Sequence, residues 1–408
     1  APAHLQGEGV IRAEYRTPFA IQTPLEAQAA LADARPERVT IWASTQSPFM
    51  MQQQVALALR MRPDQVEVVP LLVGGGFGRK SFNPEIAIEA ARLSRAVGAP
   101  VHVAWTRQEE LQLGFLRPPT HHRLSARLEG GRIVAIEHEQ ASGDVLFAFA
   151  PGLAKQLIGN DFGATRGATI RYAIPHRRVV AWRRDLPVRT GPWRGLGLLA
   201  NTFAVESFMD LLARAANADP LAFRLAHLPD TLWGRRMAAV LRAAADRAGW
   251  GRPLPPGHAQ GIACSTDVNT VVAHVAEIAL EEDERIRVHR ITLAMDCGLV
   301  VNPDGARAQA EGAVMWGVSS ALLEEARVSN GRLAALNLDG YPILSLDRAP
   351  AVEVLLLNTT NSAQPYGVGE PPMGPTAAAI ANAFLALTGR SLHQMPFTPQ
   401  RVRERLSG

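Results

Sequence analysis

Four polar loops framed by glycine constrain this chain more than any other feature. They are Gly74-Gly-Gly-Phe-Gly78, Gly191-Pro-Trp-Arg-Gly195, Asp296-Cys-Gly298 with Asn302-Pro303, and Gly367-Val-Gly-Glu370 with the Pro371-Pro372 that follows. Glycine admits backbone conformations and close approaches closed to other residues, and proline stiffens what it precedes. In the last loop a lone carboxylate, Glu370, stands between glycine and a proline pair, directly ahead of the apolar helical run Thr376 to Thr388. A glutamate near a helix start also complements the dipole, an ordinary structural use. The company of the other three loops favours a held base.

Composition excludes several function classes. With 408 residues and 47% hydrophobic content, the chain builds sizeable cores. Its 42 basic and 38 acidic residues leave a net charge of only +4, and the arginine pairs Arg177-Arg178 and Arg183-Arg184 read as solvated faces or phosphate contacts rather than a duplex-binding stripe. Nucleic acid is not an expected partner. The two cysteines, Cys264 and Cys297, form no CxxC pair, so neither an iron–sulfur cluster nor a structural zinc is expected on this chain, and both read as small buried hydrophobes. No apolar run approaches the ~20 residues that span a bilayer, so a soluble, not integral-membrane, protein of the cytoplasm or periplasm is expected. The start Ala1-Pro-Ala3 reads as a processed end or a cut within a longer precursor.

Periodicity predicts strands over 10–17, 38–44, 65–73, 101–106, 123–128, 133–140, 271–280, 286–295 and 351–357. Helices are predicted over 49–61, 85–97, 201–216 and 234–248. His121 and His122 read as surface loop residues, and 148–171 as an irregular covering loop. Pro229 and the following Leu232-Trp233 suggest a boundary between a first part, 1–232, and a second, 233–408.

The loops carry chemistry. Ser44-Thr-Gln-Ser-Pro48, with Gln46 at its centre, offers donors at a helix entrance. Gly74 to Gly78 exposes amides that can converge on an anionic or carbonyl-rich ligand; its spacing fits neither a dinucleotide fingerprint nor a Walker A loop. Arg194, between tryptophan and glycine, can fork onto carbonyl or phosphate oxygens or satisfy loop carbonyls. Gln309, early in an Ala/Gly-rich helix, can point its amide at what the loop encloses.

In this order, with Pro24-Leu-Glu-Ala-Gln28 ahead of them and Gln309-Ala-Glu-Gly312 between the last two, these motifs resemble the xanthine dehydrogenase/aldehyde oxidase family of molybdenum hydroxylases. The likeness is to its molybdopterin-binding part, of the isoquinoline 1-oxidoreductase large-subunit type. It implies an α+β architecture of mixed sheets and helices in two domains, with the cofactor between them. It implies Glu370 as the catalytic base, and Gln46, Gly75, Gly76, Phe77, Gly78, Arg194, Gln309 and Gly369 as cofactor contacts. No side chain is expected to ligate the metal, which the pterin holds. The implied cofactor is molybdopterin cytosine dinucleotide with molybdenum. [2Fe–2S] clusters, and FAD or haem where present, are implied on partner subunits. The implied partners are a [2Fe–2S] ferredoxin-like subunit, a polypeptide supplying an N-terminal small domain, and, as a further option, a flavin or cytochrome subunit.

Ser81 and Leu196 stand where purine-oxidising members carry a glutamate and a stacking phenylalanine. These substrate-pocket positions favour an aldehyde or an N-heteroaromatic ring over a purine. The readings from other classes are a catalytically silent structural subunit and a hydrolase or phosphate-ligand-binding protein. No G-x-S-x-G elbow supports a serine hydrolase.

Overall fold

The structure is a computed structural model describing residues 1–149, 155 and 157–407. Strands and helices are mixed throughout, in three four-stranded sheets and one short hairpin.

The first sheet, in order β1-β6-β7-β8, comprises β1 (Val10–Thr17), β6 (Thr120–Glu129), β7 (Arg132–Ser142) and β8 (His176–Arg183). The second, β4-β3-β2-β5, holds β2 (Ala29–Ala34), β3 (Val39–Ala43), β4 (Val66–Pro70) and β5 (Val101–Ala104). Helices α1 (Pro48–Leu59) and α2 (Pro84–Val97) pack on it, burying Met51, Val55, Ile86, Ala87 and Ala90 against Ala30, Ala32 and Ile41. The alternation in β3, with Val39, Ile41 and Ala43 buried, is the period of a strand with one covered face. Helix α3 (Arg107–Leu113) follows β5, opened by a capping box of Thr106 and Glu109.

The third sheet, β14-β11-β10-β9, is built from β9 (His258–Asp267), β10 (Thr270–Leu280), β11 (Ile286–Asp296) and β14 (Ala351–Leu357), the last parallel to β11. Helix α4 (Leu198–Ala215) packs on β1 and β6 of the first sheet and β9 of the third, while α6 (Leu232–Ala248) and α7 (Pro303–Leu322) pack on the third and α5 (Pro220–His227) joins α4 to α6. Helix α8 (Thr376–Thr388) and the terminal α9 (Pro399–Ser407) complete them, and β12 (Val328–Ser329) pairs with β13 (Arg332–Leu333). One core joins this larger part, drawing Phe203 and Phe208 of α4, Val240 and Leu241 of α6, Val271 to Ala273 of β10 and Phe384 of α8. Helix α8 lies so close on β9 that a Cβ at Gly261 would overlap its backbone at Ala379 and Ala383. Its alanines, Ala377 to Ala379, Ala381 and Ala383, are all buried, so small side chains set that spacing.

Three expectations change. His121 and His122 lie in β6, and His122 is fully buried, 3.0 Å from the ring of buried His138. Burial drives both rings well below the ordinary histidine range, His138 to about 4. Strands β2, β8 and β9 went unpredicted: β2 because alanine dominates it, β8 because exposure on both faces erases the alternation, and β9 because burial on both faces does the same. The 148–171 reading lies partly outside the described residues; in the part described, Asp161 organises a tight loop by accepting from the backbone of Val145, Phe147 and Gly163. Cys264 and Cys297 are buried and unpaired.

Candidate functional site

A cleft of about 490 Å³ collects the predicted residues: Gln46, Gly75 to Gly78, Ser81, Arg194, Leu196, Gln309, Gly369 and Glu370 all line it. They come from four loops and helix α7, spread over more than three hundred residues of sequence.

The glycine loop is shaped by close contacts on its glycines. A Cβ at Gly76 would lie 2.5 Å from Gln46 Oε1, and one at Gly78, whose φ is +101°, would overlap the Pro192 carbonyl. Phe77 itself takes a φ of +51° and packs its ring 4.7 Å from that of Trp316 on α7. Beneath the loop, Lys80 is buried and ion-paired with Glu26, which also accepts from Gly74 N at 2.8 Å and Ser44 Oγ at 3.0 Å. Gln46 is fixed by its own N–H on the Lys80 carbonyl (2.9 Å) and by Ser81 Oγ, which donates to its Oε1 (3.1 Å). The backbone amides of Gly75, Gly76, Phe77 and Gly78 find no acceptor among the described residues.

Arg194 joins the remaining loops. Its N–H donates to the Phe77 carbonyl at 3.0 Å, its Nε to Gly369 O at 2.7 Å, and its Nη2 to Gln309 O at 2.9 Å and Oε1 at 3.2 Å. Burial pulls its pKa down to about 10, against the attraction of the Glu370 carboxylate. Nη1 has no hydrogen-bond partner among the described residues. Gln309 comes to this point because Asn302 caps α7, its Oδ1 accepting from Gly305 N at 3.0 Å with Pro303 in the first turn. Leu196, beside the arginine, has a φ of +55°, a strained backbone for a leucine, and sits in the cleft wall.

Each oxygen of Glu370 has one donor. Gly195 N–H reaches Oε1 at 3.0 Å, and Arg166 Nη1 reaches Oε2 at 2.8 Å. The side chain remains 35% exposed, so it is not sealed from solvent in this chain. Its backbone starts a single helical turn, with Met373 N donating to Glu370 O at 3.0 Å. Upstream, Tyr366 N reaches the Cys297 carbonyl at 2.9 Å and Thr270 Oγ1 donates to Gly367 O at 2.6 Å. The Asp296-Cys-Gly298 loop thus holds the Glu370 loop rather than lining the cleft, while Arg236 holds Asp296 at 3.1 Å.

Arg166 is the residue that sequence reading missed. Its Nε donates to Asp267 Oδ1 at 2.8 Å and its Nη2 to Asp267 Oδ2, leaving Nη1 for Glu370. Burial opposes its charge, but the hydrogen bonds and attraction of Asp267 and Glu370 outweigh that and raise its pKa. Asn201, fully buried on α4, pins the loop by donating to Ala164 O and Arg166 O, both at 2.9 Å. The one sequence signal was Gly167, at φ +82°, directly after the arginine. Among the described residues no group of three His, Cys, Asp or Glu side chains is placed to hold a metal ion. No helix of the described residues is long and apolar enough to cross a membrane.

Two family profiles match, both described as molybdopterin cofactor-binding domains, over residues 3–228 and 245–350. The chain is 33% identical over 406 residues to the beta chain of isoquinoline 1-oxidoreductase from Brevundimonas diminuta, covering 97% of this chain and 51% of that one. It is 30% identical to a nicotinate dehydrogenase subunit of Pseudomonas putida, covering 97% and 35%. It is also 30% identical to the membrane-bound aldehyde dehydrogenase [pyrroloquinoline-quinone] of Gluconacetobacter polyoxogenes, covering 96% and 54%. The chain therefore spans about half the length, or less, of these curated relatives. Among solved structures, quinoline 2-oxidoreductase from Pseudomonas putida 86 superposes with a TM-score of 0.83 at 16% identity, covering 100% of this chain and 77% of that one. The CO dehydrogenase of Oligotropha carboxidovorans gives 0.84 at 14%, covering 100% and 76%; at these identities the likeness is one of fold. With one profile spanning more than half of its residues and a second following, the chain belongs to the molybdopterin cofactor-binding domain family.

Proposed function

We propose that this chain is the catalytic part of a molybdenum hydroxylase that oxidises an aldehyde or an N-heteroaromatic carbon, with Glu370 as the base. The observation that carries this reading is the convergence of a doubly held carboxylate with unpartnered donors in one cleft. The donor set suits an anionic, carbonyl-rich pterin: free amides at Gly75 to Gly78, a wall closed by backbone at Gly78, and Arg194 Nη1. Gln46, Gly75 to Gly78, Arg194, Gln309 and Gly369 would hold the group, which we take to be the cytosine dinucleotide form.

When bound, that group supplies two-electron oxidation of the substrate carbon, with oxygen drawn from water. The chain's own residues handle the proton and the geometry. Glu370 accepts a proton at a carboxylate oxygen, a step typically worth about 10²- to 10⁴-fold in rate. Gly195 N–H and Arg166 fix the rotation of that carboxylate, so it meets the substrate pre-aligned. Arg194 ties Gly369 to Gln309 and Phe77, keeping the base and the glycine wall at a set separation. Leu196, Leu146 and Phe82 give the cleft apolar wall against which a flat substrate packs, and Ser81, donating to Gln46, leaves no charge there.

The two electrons and the protons leave by other routes. We assign the electrons to a [2Fe–2S] ferredoxin-like partner, which in some assemblies passes them on to a flavin or cytochrome subunit. The domain boundary of this chain is taken near residues 232 and 233. The names of the relatives support both substrate classes: isoquinoline and nicotinate are N-heteroaromatic, and one relative is an aldehyde dehydrogenase. That last name carries a quinone cofactor, so metal and nucleotide content separate the two possibilities. The test is turnover in heavy-oxygen water by the complex purified with its native partners. Label in the hydroxylated product, with about one molybdenum per chain, is expected. Activity without molybdenum, or product oxygen drawn from dioxygen, would overturn the proposal.

A further inference from the structure

Behind Arg166 lies a second cavity, of about 600 Å³, that shares no lining residue with the Glu370 cleft. Its walls come from the 162–172 loop, from α4 at Thr202 to Glu206, from the start of α6 at Trp233 to Met237, and from the outer edge of β9 with its turn at Val268-Asn269. That volume suits a ligand of one or two rings.

The charges in the walls are unevenly committed. Glu206 is neutralised by Arg224, whose Nε donates to it at 2.8 Å, and receives the Tyr172 hydroxyl at 2.7 Å. Arg236 is held by Asp296, and Arg166 by Asp267 and Glu370. Arg171 is different. It is exposed, lines the cavity, and places its guanidinium 5.8 Å from the centre of the Trp233 ring, with no carboxylate partner among the described residues. An uncommitted cation in the wall of a cavity calls for an anion. The indole and the stacked guanidinium together offer a flat, polarisable surface, which favours an aromatic ring as the body of that anion.

We propose that this cavity is a second ligand site and that it takes a small aromatic monocarboxylate, with Arg171 meeting the carboxylate and Trp233 the ring. The site is coupled to the cleft through one side chain. Arg166 lines the cavity and donates to Glu370 Oε2, so an anion bound here competes with Glu370 for the same guanidinium. By linkage, removing the Glu370 charge tightens the ligand, by roughly 5-fold. This coupling rests on the proposed role of Glu370; the binding itself does not.

The experiment is titration calorimetry of the purified protein with benzoate and, as the neutral isostere, benzamide, comparing wild type, Arg171→Gln and Glu370→Gln. Arg171 is exposed and outside the core, so its variant is expected to fold as wild type. Saturable benzoate binding that weakens roughly tenfold in Arg171→Gln, with benzamide weak in both, supports the site. No benzoate binding, equal binding of benzamide, or benzoate affinity unchanged in Arg171→Gln would overturn it. Benzoate binding that depends on Arg171 but is indifferent to Glu370→Gln would overturn the coupling alone and leave the site standing. None of these readouts requires turnover, so failure of the hydroxylase reading shows separately, in molybdenum content and product label.

Discussion

The two walls of the cleft hold their functional groups by different means. On the glycine side the groups are backbone amides, and their positions follow from missing side chains: a Cβ at Gly78 would overlap the Pro192 carbonyl, Gly76 packs on the Gln46 amide, and a buried Lys80–Glu26 pair sets the loop from beneath. On the carboxylate side the groups are side chains held by other side chains, Glu370 by Arg166, and Arg166 in turn by Asp267. A backbone wall is rigid and local; a side-chain wall is adjustable, and depends on residues 204 and 101 positions apart in sequence. The first should fail all at once when altered, and the second by degrees.

The largest effect should follow from Gly78→Val, which sets a branched side chain at a φ of +101° against the Pro192 carbonyl. Molybdenum content, read by metal analysis of the purified protein, should fall to near zero, and activity by more than ~10²-fold. Full molybdenum in that variant would mean that the glycine wall is not a cofactor contact.

Arg166→Met should act by degrees. With molybdenum content unchanged, kcat is expected to fall about 10- to 50-fold, the loss of a charge-assisted hydrogen bond to the reacting group. Arg166→Lys should recover part of it, and Asp267→Asn, which only loosens the arginine, should cost less. A merely structural arginine would instead lower the melting temperature and leave kcat per molybdenum alone.

The smallest effect is one of stability, on the rigid side. Glu26→Gln leaves the Lys80 ammonium buried without its carboxylate and should cost about 1–3 kcal/mol by chemical denaturation. Burial works against the charge of Glu26, but Lys80, the Gly74 amide and Ser44 outweigh it and hold the carboxyl below its ordinary 4.5. A depressed carboxyl contributes above its unfolded value and loses that contribution as pH falls through the folded one. The gap between wild type and Glu26→Gln should therefore be full at neutral pH and close as pH drops below 4.5.

The same contrast explains what the sequence made legible. Glycines, prolines and a carboxylate at fixed spacing mark a loop locally, so Gly75 to Gly78, Arg194, Gln309 and Glu370 could be read as one constellation before their contacts were known. The helices that carry them were legible too, because Asn302-Pro303 and the alanine run after Thr376 are local signals. Arg166 was hidden because its role depends on where Asn201 and Asp267 place it, and an arginine in an irregular stretch has no period to betray it. The Lys80–Glu26 pair was hidden for the same reason, although Glu26 lies within a noted motif and Lys80 two residues beyond another. His122 was misplaced because two adjacent histidines after prolines resemble a loop, whereas pairing of β6 with β1 and β7 decides the matter.

The central claim is that Glu370, held by Gly195 N–H and Arg166, is the base of a molybdenum hydroxylase. The most direct measurement is kcat of Glu370→Gln, purified with its native partners and normalised to molybdenum, on an aldehyde or N-heterocycle that the wild type oxidises. The account predicts a loss of about 10²- to 10⁴-fold at unchanged molybdenum content. An undiminished rate at full molybdenum content would contradict it.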